Sequence, residues 1–67
     1  MSTTDWSWTL TIHVAGVSGE QVLPGGCLAP ANATPDTILA NILPQLEKGP
    51  LRGVRYSIVR FTATRIA

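Results

Sequence analysis

Few side chains in this 67-residue sequence could do chemistry, and their spacing decides how much. There is one histidine, His13, and one cysteine, Cys27. Together they could form a nucleophile and base if a hairpin brought them close, but no third group is placed to orient the base. His13 stands among Thr9 and Thr11, as expected of a solvated surface residue, and a lone small thiol is most often a packing residue. The carboxylates Asp5, Glu20, Asp36 and Glu47 show no paired spacing. One cysteine and one histidine are too few for a structural zinc site, so no metal or other cofactor is expected. Gly25-Gly26 is not a phosphate-binding loop, because no helix start or lysine follows closely. Catalysis therefore has little to work with, and the sequence reads as non-enzymatic.

Two clusters remain. Arg52, Arg55, Arg60 and Arg65 are interleaved with Tyr56 and Phe61. Basic and aromatic side chains on one sheet face suit single-stranded nucleic acid, through phosphate contacts and base stacking. A net charge of +1 falls well short of the basic balance usual for that role. The charge is also segregated. Residues 1–46 carry Asp5, Glu20 and Asp36 and neither lysine nor arginine, a charge of −3. Residues 47–67 set Glu47 against Lys48 and the four arginines, a charge of +4. Such asymmetry reads as an interaction signal or as internal pairing of the two halves. The second cluster is Trp6 and Trp8, the only tryptophans, both in DWSWTLTIHV. Tryptophan and arginine dominate interface energetics.

The elements that position these residues follow from periodicity. Trp6, Trp8, Leu10, Ile12 and Val14 alternate with Ser7, Thr9, Thr11, His13 and Ala15, the pattern of a strand with one dry and one wet face. Residues 1–5 read as a polar tail. Gly16-Val17-Ser18-Gly19 supplies turn chemistry, and Gln21-Val22-Leu23 is a short return strand. Pro24-Gly25-Gly26 should break it, because proline cannot donate to a ladder. Cys27-Leu28-Ala29 then resumes pairing past a bulge. Thr34-Pro35-Asp36 opens a helix, with a capping hydroxyl, proline at the first position and an acid at the positive end. Ile38, Leu39, Ile42, Leu43 and Leu46 form its apolar stripe. Pro44 predicts a kink after Leu43, and Gly49-Pro50 a stop. In the last run, Val54, Tyr56 and Ile58 share one face while Val59, Phe61 and Ala63 share the other. That switch predicts a bulge, a change of environment or a strand covered on both sides.

The strand, glycine turn, strand and Thr-Pro-Asp-Thr-Ile-Leu helix start over residues 8–46 resemble the first half of ubiquitin-like β-grasp domains. The resemblance implies a last strand parallel to the first and a helix packed across the sheet. The sequence ends Arg65-Ile66-Ala67, without the terminal Gly-Gly of the family's modifiers and sulfur carriers, so it implies no conjugated role. The expected fold is a single small α+β domain, with a mixed sheet of three or four strands, one helix on one face and the order β-β-α-β.

Composition points to association. Apolar residues make up 45% of the chain and charged residues 13%, about half the usual charged share. A domain this small buries only roughly 60% of its unfolded surface and generally needs a staple. Without a disulfide or a metal, self-association or docking on a protein partner is the expected source, with Trp6, Trp8, Arg55, Arg60 and Arg65 at the interface. Nucleic acid held by Arg52, Arg55, Tyr56, Arg60 and Phe61 is the alternative. No run approaches the ~18 apolar residues of a membrane span, and the N-terminus lacks a signal-peptide pattern. A lone cysteine then fits a reducing cytoplasm.

Overall fold

The computed structural model describes residues 3–66. Four elements follow in the expected order: strand β1 (Thr3–Val14), strand β2 (Gln21–Pro30), helix α1 (Pro35–Lys48) and strand β3 (Tyr56–Arg65). They form a three-stranded sheet in the order β2-β1-β3, with the longest strand at its centre. The fold is α+β. Among the described residues there is no fourth strand. The tail expected at residues 1–5 is corrected at Thr3, Thr4 and Asp5, which pair with β2; Met1 and Ser2 lie outside the described residues.

Both pairings of β1 are antiparallel. The expected mixed sheet is thus corrected, and β3 does not run parallel to β1 as the β-grasp resemblance implies. Chain direction explains it. β2 returns to the start of β1, and a 14-residue helix then carries the chain about 20 Å back along the sheet. β3 therefore enters beside the end of β1, where the Ala15 amide donates to the Arg55 carbonyl at 2.9 Å, and runs down against it.

Alternation in β1 places Trp6, Trp8, Leu10 and Ile12 beneath the helix, all buried. Ile38 and Ile42 meet them from α1, and Leu39, Leu43 and Leu46 flank the contact half-buried. The helix begins as its sequence demands, with the Thr34 hydroxyl accepting the Thr37 amide at 3.2 Å. It stops at Gly49 as expected, but the kink expected after Leu43 does not interrupt it. It runs through Pro44 to Lys48, and the proline is exposed, so its ring faces solvent although its amide donor is lost. Beyond it, the Gly49 and Leu51 amides both donate to the Leu46 carbonyl, folding Leu51 back into the core.

The strand β2 is also unbroken. It continues through Pro24-Gly25-Gly26, where a break was expected. An edge strand tolerates proline when its missing donor faces outward. Gly25 has its own reason. It pairs with Trp8, and a β-carbon there would lie inside the Trp8 indole, so the ring occupies the room that glycine leaves.

The face switch in the last strand is a β-bulge. Thr11 pairs with Arg60 and Ile12 with Ile58, which leaves Val59 as the extra residue. The bulge restores phase, so that Tyr56 and Ile58 before it and Phe61 and Ala63 after it all fall in register with the helix-facing residues of β1.

Two stability effects follow. Gly25→Ala should destabilise the fold by about 1–3 kcal/mol and alter the near-ultraviolet circular dichroism of the indoles, measured by denaturant titration and spectroscopy. Pro44→Ala restores a helix donor at an exposed site and should raise stability by about 1–2 kcal/mol. A lower unfolding midpoint for that variant would contradict an intact helix at this point.

Candidate functional site

The folded chain separates the residues that could have acted together. Cys27 pairs with Trp6 on the helix side of the sheet, while His13 pairs with Ser57 on the other side. The seven residues from Trp6 to His13 span about 23 Å of strand. The thiol and the imidazole therefore do not meet. Among the described residues, no group of three or more His, Cys, Asp or Glu is placed to hold a metal ion.

Trp6 and Trp8 are each only 7% exposed within the single chain. The expected place of Trp6 and Trp8 at an interface needs them uncovered within the chain, and they are not. The chain covers them with more than the helix. Ala29, Leu51, Cys27 and Phe61 join the same cluster, and Phe61 lies tilted on Trp8 with ring centroids 6.2 Å apart. Both indole Nε1 atoms are buried without a hydrogen-bond partner, an arrangement that costs about 1–3 kcal/mol per donor. The free chain thus presents neither indole to a partner.

The arginines are all exposed but scattered. Arg52 lies in the turns after α1 and Arg55 just before β3. Arg60 sits opposite Thr11 on the helix-free face, and Arg65 opposite Trp6 at the far end of β3. The aromatics meant to interleave with them point elsewhere, with Phe61 packed on Trp8 and the Tyr56 hydroxyl donating to Glu47 Oε1 at 2.9 Å. Burial of the phenol raises the Tyr56 pKa above its ordinary value, and the Glu47 carboxylate adds to this by accepting a hydrogen bond from the neutral phenol and repelling the phenolate. The structure does gather His13, Arg55, Tyr56 and Ser57 around one shallow, open depression of about 230 Å³. A narrower cleft of about 150 Å³ separates β2 from α1 and is lined by Trp8, Cys27, Ala29, Ile38, Ile42 and Leu46, among others.

The largest uncovered feature is the helix-free face of the sheet. Register places Asp5, Ser7, Thr9 and Thr11 of β1 in its centre, flanked by Leu28, Gly26, Pro24 and Val22 of β2 and by Thr64, Thr62 and Arg60 of β3. Ile66 continues the third row, since its amide donates to the Asp5 carbonyl. Leu28 is 69% exposed, Val22 59% and Ile66 53%, so the face carries apolar groups as well as hydroxyls. Sequence reasoning saw the wet side of β1 but not its neighbours. The only local clue was the phase slip at Ile58-Val59, which shifts Arg60 onto this face.

No known protein family, curated protein or solved structure matches this chain. Among the described residues no helix is long and apolar enough to cross a membrane.

The Tyr56–Glu47 contact has a spectroscopic signature, because Tyr56 is the only tyrosine. Its phenolate absorbance should appear at higher pH than for free tyrosine, and Glu47→Gln should lower that pH. A raised folded-state pKa means that this contribution to stability is complete below pH 10.0 and fades as pH climbs through the raised value.

Proposed function

We propose that this chain is a non-catalytic protein-interaction module, working as a homo-oligomer or as a small regulatory or adaptor subunit on a larger protein. The observation that carries this reading is the helix-free sheet face, broad, weakly charged and bearing exposed Leu28, Val22 and Ile66. With 13% charged residues in the chain, this face is solvated mainly by the hydroxyls of Ser7, Thr9, Thr11, Thr62 and Thr64, between which these apolar groups stand. The separation of Cys27 from His13 supports the non-catalytic part. The unpaired Cys27 suits a reducing compartment such as the cytoplasm.

The burial of Trp6 and Trp8 moves the proposed contact away from them. Arg60 stays within it, and Arg55 and Arg65 sit beyond its rim. Nucleic acid is the second reading, favoured by four exposed arginines, Arg52, Arg55, Arg60 and Arg65. It would rest on phosphate contacts alone, since Tyr56 and Phe61 are engaged in the fold.

Affinity capture from the native host tests both readings. The wild-type chain should retain a protein at near-stoichiometric yield, resistant to nuclease, and Thr9→Glu with Thr62→Glu should lose it while Arg52→Ala keeps it. Material released by nuclease, or equal capture by the face variant, would contradict the proposal.

A further inference from the structure

The geometry points to a second copy of this chain as the occupant of the helix-free face, stacked sheet on sheet with the helices outside. This rests on the interaction-module reading and narrows it to one partner.

Surface area gives the first argument. The chain exposes 4679 Å², whereas a folded monomer of 7.1 kDa should expose about 4,100 Å². The excess is about 600 Å², close to what each partner buries in the smallest specific interfaces. The molecule is also elongated, 43 × 20 × 15 Å, with a radius of gyration of 12.6 Å against about 11 Å for a compact chain of this length. A plate of that shape has one broad side under the helix and one broad side without cover.

The second argument is self-complementarity. Trp8, Gly25 and Ala63 mark one line across the three strands. Three residues to one side of that line, the exposed face carries Leu28, Asp5 and Ile66. Three residues to the other side it carries Val22, Thr11 and Arg60. A two-fold axis along the line, midway between two stacked sheets, exchanges these rows. It sets Leu28 of one copy over Val22 of its partner. Arg60 lands on the partner's Ile66, where its aliphatic stem covers an apolar side chain and its guanidinium reaches the neighbouring Asp5. Nearer the axis, Pro24 falls on the partner's Gly26, a ring over an open place, and the hydroxyls of Ser7 and Thr64 meet those of Thr9 and Thr62. Aligned packing within about 30° is the usual arrangement of stacked sheets. Asp5 and Arg60 provide the only full charges on these rows, of opposite sign and on opposite sides of the axis, so the two-fold pairs them twice.

The edges fit a second copy less well. The free edge of β2 contains Pro24 and Pro30, which cannot donate, and β3 carries a bulge and Arg60, features that discourage strand addition.

Sedimentation of the full chain from about 1 μM to about 1 mM should show the mass rising from one chain towards two. Leu28→Asp should raise the dissociation constant at least about tenfold, with unchanged circular dichroism because the side chain is exposed. Asp5→Arg or Arg60→Asp alone should weaken association about threefold to tenfold, and the two together should restore it. Within one chain these residues lie about 20 Å apart, so restoration cannot arise in cis. A monomer at every concentration, or a dimer indifferent to Leu28→Asp and to the charge reversals, would overturn the second-copy assignment. In either case the broader module reading still stands or falls on the host capture.

Discussion

Across the centre of the sheet, the Trp8 indole fills the space above Gly25 and leans on Phe61, so that one side chain ties all three strands together. Much of the architecture follows from this contact. It gives β2 a reason to keep its register through a segment that would otherwise be a turn. It fixes which face of β1 is dry, and with that where α1 must lie. Burial of an aromatic of this size contributes a few kcal/mol, a large share of the margin of so small a domain. Both indole Nε1 atoms lie within this apolar packing with no protein acceptor beside them.

Local order was legible in the sequence where it depends on near neighbours. Period two in DWSWTLTIHV and the Thr34-Pro35-Asp36 start were sufficient for β1 and for the beginning of α1. The phase slip at Ile58-Val59 marked the place of the bulge but left it as one of three readings, which only the register decides. What escaped depends on distant neighbours. Pro24-Gly25-Gly26 looks like a breaker until Trp8 is set across from it. Pro44 reads as a kink until its ring is seen to face water, whereas the stop at Gly49-Pro50 is local and was legible.

The candidate site was less legible for the same reason. Asp5, Leu28 and Ile66 form one row of a surface, yet nearly the whole chain separates the first from the last. Only the strand order and two registers bring them together. Trp6 and Trp8 drew attention because large aromatics are common at interfaces, but in a thin two-layer domain the same residues are the most effective core. The extra residue Val59 also places Arg60 on the face opposite Tyr56, which simple alternation from Tyr56 does not show.

The order β2-β1-β3 also bears on how the molecule assembles in time. The β1–β2 hairpin closes across a six-residue turn and can form early. It cannot hide its indoles until α1 has folded and β3 has found β1, with partners such as Trp6 and Arg65 nearly sixty residues apart. Loop-closure entropy weighs more heavily on that last pairing than on the hairpin. During synthesis the two tryptophans are therefore exposed until the final strand has been made, and this interval, more than the finished fold, is when the chain is open to aggregation.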